Sequence, residues 1–225
     1  QDIWQPFIWV LSALTMTIGN VLALKQHNIV RMIAYSSISQ GGFVLMPLAV
    51  AGLSGSGTTA LRSVVLYMII YAATNLGVFA IILAVSNKTR SGEVSSYGGL
   101  FSYAPVLGVL MTLFLASLAG IPPFGGWIAK FVAFQSLIQS QSAWGYALAI
   151  VGAVNSVVAF GYYGNVMREI WMRPVPDNDT TAISVPGSLK LALVITAGAT
   201  LVFGILPGVG LYFADLAEIA GAIIR

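Results

Sequence analysis

One lysine sits where a cation is costly. Lys130 lies inside the run Trp127-Ile128-Ala129-Lys130-Phe131-Val132-Ala133-Phe134, and a charged side chain at the centre of a membrane span costs about 2.5–3.5 kcal/mol on insertion scales, so it marks an ion or proton path. Snorkelling to the interface is disfavoured, because the sequence stays largely apolar to Ile138. Pairing with a carboxylate is disfavoured too, because none of the seven Asp and Glu falls in the core of another apolar stretch. An amine that holds and releases a proton at that depth is a proton carrier. Just upstream stands Gly120-Ile121-Pro122-Pro123-Phe124-Gly125-Gly126. Two adjacent prolines remove two backbone donors, and the glycines Gly120, Gly125 and Gly126 lower helix propensity, so the helix breaks there. Broken backbone at membrane depth survives only where it is buried in protein or lines a wet cavity, the construction transporters use at binding sites.

Hydroxyls and amides recur at helical spacing nearby. Ser36, Ser39 and Gln40 share a face by the i, i+3, i+4 rule, and Tyr67, Tyr71 and Asn75 recur every fourth residue. Such groups can order a chain of waters, with Gln40 both donating and accepting; they can equally let helices pack closely. For Asn155 and the pair Tyr162-Tyr163, packing or an interfacial belt is the reading. His27, beside Lys25 and Arg31, reads as a solvated loop residue without an orienting partner. Glu169 and Arg168 read as solvated, and Asp215 and Glu218 as facing headgroups or a neighbour.

Several chemistries are excluded. With no cysteine and one histidine there is no disulfide framework, thiolate metal site or multi-histidine site, and neither a phosphate-binding glycine motif nor a Ser/His/Asp arrangement is present. The net charge of +3 comes from ten Lys and Arg scattered singly, which gives no nucleic-acid patch.

The elements that must position these residues follow from composition. The 225 residues are 58% hydrophobic and 8% charged, with a mean hydropathy of +0.90, against about 25% charged in soluble domains. This predicts an all-α polytopic membrane protein forming a single transmembrane domain. Apolar stretches at about 3–24, 30–52, 61–85, 101–139, 144–172 and 189–213 each reach the roughly 20 residues a span needs. The fourth, at 39 residues, would be about 58 Å long as one helix, nearly twice the hydrocarbon thickness; its break is placed near 120–126. Loops after the first, third and fifth spans hold seven of the ten Lys and Arg, the opposite side only Arg62 and Arg225. The excess of positive charge puts those three loops in the cytoplasm and both ends of the chain outside. Starting at Gln1 without a basic leader, the chain is expected to be a fragment or a processed product.

Gly19-Asn20-Val21-Leu22-Ala23-Leu24, then Asn28-Ile29 through Ile38-Ser39, then Gly120-Ile121-Pro122-Pro123 ending in Ala129-Lys130-Phe131, together resemble the antiporter-like membrane subunits of respiratory complex I. Within that family the sequence is most similar to the N type, over essentially its whole length. The resemblance implies six helices corresponding to the family's ninth to fourteenth, including its second inverted repeat, with the broken helix as the twelfth. It places Lys130 on the central ionisable residue, which passes protons toward the outside half-channel, lysine in N and glutamate in M. It implies a proton-translocating subunit of an NADH-quinone oxidoreductase in an energy-transducing membrane, most simply a bacterial cell membrane. NADH, flavin, iron-sulfur clusters and quinone would be bound by other subunits, with no cofactor here. The partners implied are other membrane-arm subunits, especially neighbouring antiporter-like ones, and the lipid bilayer. A subunit of a cation/proton antiporter or membrane-bound hydrogenase of the same superfamily is the alternative. Two positions depart from the family pattern: Val30-Arg31 stands where Lys-Arg is frequent, and Gln40 where several relatives have histidine.

Overall fold

A computed structural model describes residues 4–53 and 57–223, with side chains at 4–53 and 59–215; Arg225 lies outside the described residues and Glu218 outside the described side chains. Nine α-helices are described: α1 (Trp4–Leu24), α2 (Ile29–Leu45), α3 (Gly57–Thr89), α4 (Leu100–Tyr103), α5 (Pro105–Ala119), α6 (Gly125–Gln139), α7 (Ala143–Met172), α8 (Gly187–Ile205) and α9 (Pro207–Ile223). Five segments, Trp4–Leu24, Ile29–Val50, Thr59–Thr89, Ala143–Asn178 and Gly187–Ile205, are long and apolar enough to cross a membrane. A further crossing is divided into α5 and α6, of 15 residues each, and α8 ends at the depth of that division, where a Cβ on Gly204 would run into Pro123 and Phe124, with α9 continuing to Arg62 at the start of α3. The chain is a multi-pass membrane protein.

Proline sets where three stretches depart from the hydropathy pattern. The second stops as an α-helix at Leu45 and continues as a 3-10 turn, Leu48–Val50, since Pro47 has no N–H to donate. A residue before proline is driven out of the helical region. Ala104, before Pro105, has φ −140° and ψ 63°, so α4 is a separate turn rather than the start of the fourth span. Leu206, before Pro207, has φ −118° and ψ 69°, so the stretch at 189–213 is two helices, not one. The third stretch, by contrast, is longer than its apolar core: α3 has 33 residues, about 50 Å, because polar turns at both ends stay helical beyond the hydrocarbon.

The three basic loops gather at one end. Ile29 N–H donates to the Gly92 carbonyl at 2.7 Å, Val94 N–H to His27 at 2.8 Å and Gly99 N–H to Glu169 at 3.1 Å. The Asn28 side chain caps α2 by accepting from Arg31 N–H at 3.1 Å. Lys88 Nζ donates to the carbonyls of Asp179 at 3.0 Å and Thr181 at 2.6 Å, tying the 179–186 segment to the end of α3. The Thr181 hydroxyl and backbone N–H both donate to the Asp179 carboxylate and, with Lys88 nearby, hold its pKa below the ordinary value. His27 is exposed. Glu169, however, is only 15% exposed and lies 3.7 Å from Arg173, so it is paired rather than solvated. Asp215 also pairs, with Arg62 at 2.7 Å, joining α9 to α3. At the opposite end Trp9 Nε1 donates to the Trp144 carbonyl at 2.9 Å.

Two apolar clusters form the interior. One, toward the basic loops, includes Ile33, Phe114, Tyr97 and Tyr163; the other includes Met16, Phe43, Tyr67 and Leu137. Between α1 and α2 the backbones nearly touch, because a Cβ on Gly19 would stand 2.6 Å from Ser39 N.

Candidate functional site

The broken helix creates its own vacancies. In an α-helix each carbonyl accepts from the N–H four residues on, so the carbonyls of Leu118 and Ala119 would take theirs from residues 122 and 123. Both are proline and have none. Two side chains fill the places: Gln40 Nε2 donates to Leu118 O at 3.0 Å, and Lys130 Nζ donates to Ala119 O at 3.0 Å. Each is almost wholly buried, Gln40 at 2% and Lys130 at 5% exposure. The glycines shape the approach. Gly120, at φ +90°, ends α5 in the left-handed region, and a Cβ there would stand 2.8 Å from Lys130 Cδ, so its bare Cα is the slot through which the lysine reaches the carbonyl. A Cβ on Gly126 would collide with the Ser117 carbonyl, and one on Gly125 would meet Thr200 O at 3.1 Å.

Beyond the carbonyl, the ammonium of Lys130 lies 4.7 Å from the centroid of Phe43, a range in which a ring face attracts a cation. A cleft of about 550 Å3 between α6 and α7, bordered by Trp127, Phe131, Phe134 and Ser156, opens from the lysine toward the outside of the bundle.

Gln40 stands at the seam of the two apolar clusters and bonds to both. Its Oε1 accepts from Tyr67 OH at 2.5 Å, its Nε2 also donates to Tyr163 OH at 3.3 Å, and Ser36 and Tyr163 share a further hydrogen bond. Of the other residues singled out by spacing, Tyr71 OH donates to Ser37 Oγ at 2.7 Å. Ser39 and Asn75 are not part of this network: Ser39 Oγ and Asn75 Oδ1 are buried and make no hydrogen bond. Ser39 serves the close contact with Gly19 instead.

Sequence reasoning missed three contributors. Tyr163, which the sequence alone reads as packing or an interfacial belt, bonds Gln40 and Ser36. Tyr162 OH donates to Asn20 Oδ1 at 3.0 Å, and Asn20 Nδ2 donates to Asn155 Oδ1 at 2.9 Å; the seven-residue spacing of Asn155 and Tyr162, two turns on one face, is the signal that could have joined them. Ser117 Oγ accepts from Gly126 N–H at 3.0 Å, capping the start of α6 from the end of α5, and lies 3.4 Å from Thr74 Oγ1, itself 3.3 Å from Thr200 Oγ1. This hydroxyl cluster clasps the two halves of the broken helix to α3 and α8. Among the described residues no three His, Cys, Asp or Glu side chains are grouped to hold a metal ion.

Comparison with known proteins gives a consistent picture. Residues 1–156 match the family described as NADH:quinone oxidoreductase/Mrp antiporter, transmembrane. The chain is 41% identical over 204 residues to NADH-quinone oxidoreductase subunit N of Dehalococcoides mccartyi, covering 91% of this chain and 41% of that protein. It is 39% identical over 216 residues to subunit N of Trichlorobacter lovleyi, covering 95% and 42%. The chain thus spans about two fifths of the length of these relatives. Among solved structures, a chain of respiratory complex I from Thermus thermophilus with bound aureothin superposes with a TM-score of 0.72 at 26% identity, covering 92% of this chain and 44% of that one. A chain of the Mrp complex from Dietzia superposes with a TM-score of 0.81 at 18% identity, covering 94% and 46%, a likeness of fold.

Proposed function

The chain belongs to the NADH:quinone oxidoreductase/Mrp antiporter transmembrane family, and from that premise we propose that it is the proton-translocating part of a subunit N of NADH-quinone oxidoreductase. In this reading Lys130 takes up a proton from the path through Gln40, Tyr67 and Tyr163 and releases it toward the far side, while quinone reduction in other subunits supplies the energy. The observation that carries it is a lysine buried in the break of a split membrane helix, held by a carbonyl that the break itself leaves vacant. Flavin, iron-sulfur clusters and quinone belong to the partner subunits. The basic loops face the cytoplasm and both ends of this chain face outward, in the membrane of a bacterial cell.

Isolation of the full-length protein with its native partners tests the assignment. The expected result is copurification with a peripheral arm that oxidises NADH and reduces quinone. An assembly that exchanges cations for protons without oxidising NADH would point instead to the Mrp branch of the family.

The same reading makes a prediction at Gln40. Gln40→Leu keeps the volume but orphans the Leu118 carbonyl and the Tyr67 hydroxyl, each at a cost of about 1–3 kcal/mol, and interrupts the hydrogen-bonded line. Proton translocation per NADH oxidised is expected to fall several-fold, with a lowered melting temperature for the assembly. Gln40→His, which keeps a donor and adds a titratable ring, is expected to translocate normally. Normal translocation by Gln40→Leu removes this residue from the path and leaves packing as its role.

A further inference from the structure

At the basic end of the bundle, an apolar cleft of about 440 Å3 separates the start of α5 from the start of α8, walled by Val106, Leu110, Ile183 and Val194, with Tyr103 and Lys190 at its rim. We propose that this cleft binds an anionic phospholipid, its acyl chain between α5 and α8 and its phosphate on Lys190.

Three observations support that occupant. The first is charge: the ammonium of Lys190 forms no ion pair among the described residues, and it is the one charged side chain that borders this cleft. It also lies in the first turn of α8, where the helix's own positive end offers a cation no compensation. The second is depth. The break between α5 and α6 divides that span equally and marks its middle. Gly204 lies at the same level, because a Cβ there would run into the backbone of Pro123 and Phe124. Lys190 precedes Gly204 by 14 residues, about 21 Å along a helix. The hydrocarbon ends about 15 Å from the midplane and the headgroup layer about 20–22 Å from it, so the ammonium stands at phosphate level. Val194 and Leu110 lie deeper, where a chain belongs. The third is size and exposure. The cleft falls within the roughly 300–1,000 Å3 of ligand sites, and Val106 and Val194 are each 69% exposed, apolar surface that an acyl chain would cover.

The test uses the intact membrane complex in bilayers of equal parts phosphatidylglycerol and phosphatidylcholine, with a photoactivatable benzophenone side chain at Val106 or Val194 and mass spectrometry of the captured molecule. Phosphatidylglycerol is expected to be captured about fivefold over phosphatidylcholine, the factor equivalent to roughly 1 kcal/mol for one basic residue at an anionic surface. Lys190→Gln is expected to bring the ratio to one while total lipid capture persists. The proposal is overturned by equal capture of the two lipids in the parent complex or by a preference that survives Lys190→Gln. Capture of polypeptide or of a neutral quinone in place of phospholipid overturns it as well. Persistent total lipid capture separates loss of the headgroup contact from loss of the cleft, and none of the outcomes depends on whether Lys130 carries protons.

Discussion

Membrane vesicles carrying Lys130→Ala in the full-length protein are expected to lose proton delivery through this subunit by about a hundredfold or more, the scale on which a positioned proton-transfer group contributes. Assembly should survive the change. Removing the amine relieves about 2.5–3.5 kcal/mol of insertion cost, while the Ala119 carbonyl it leaves unpaired costs about 1–3 kcal/mol. The two nearly offset. Lys130→Arg separates titration from structure: guanidinium keeps charge and donors but does not deprotonate in proteins, so it should assemble and yet fail to translocate. The measurement is acidification of the vesicle interior per NADH oxidised; wild-type acidification by Lys130→Ala would end the proposed role.

The second large effect is expected from two apolar substitutions. Pro122→Ala with Pro123→Ala returns N–H donors to positions 122 and 123, whose helical acceptors are the Leu118 and Ala119 carbonyls that Gln40 and Lys130 now occupy. Proline inside a helix costs about 3 kcal/mol, so their removal favours a continuous helix that expels both side chains. A displacement of about 1 Å can cost a hundredfold in a positioned reaction, and translocation should fall on that scale although no polar group is lost. The single variants divide the effect: Pro122→Ala should disturb Gln40, and Pro123→Ala should disturb Lys130. Protection of the new amides against hydrogen exchange would report the added helical bonds. Unchanged translocation in the double variant, despite those bonds, would show the break to be incidental.

Much of this arrangement was legible in the residues. The all-helical, multi-pass architecture followed from hydropathy, and the pair Pro122-Pro123 located the break, because missing donors act locally. Lys130 could be singled out because so little of the chain is charged. Less legible were the partners. Periodicity names a helix face but not the neighbour that meets it, so Ser36, Ser39 and Gln40 looked equivalent. Packing against Gly19 separated Ser39 from the others. Tyr163 and Ser117 went unrecognised because their contacts join residues on different helices, 123 positions apart for Gln40 and Tyr163. The effect of Pro105 and Pro207 was visible only as a preference of the preceding residue, and whether it broke the helix depended on the packing around it.

The acceptor chosen for Lys130 has a consequence of its own. A carboxylate would grip an ammonium and let go of an amine, so each turnover would have to break and remake an ion pair. The Ala119 carbonyl is an uncharged dipole, and a neutral amine still has hydrogens to offer it. In the proposed role the side chain would therefore stay moored through loading and unloading alike, with the proton as the only traveller and the lysine as a fixed pier.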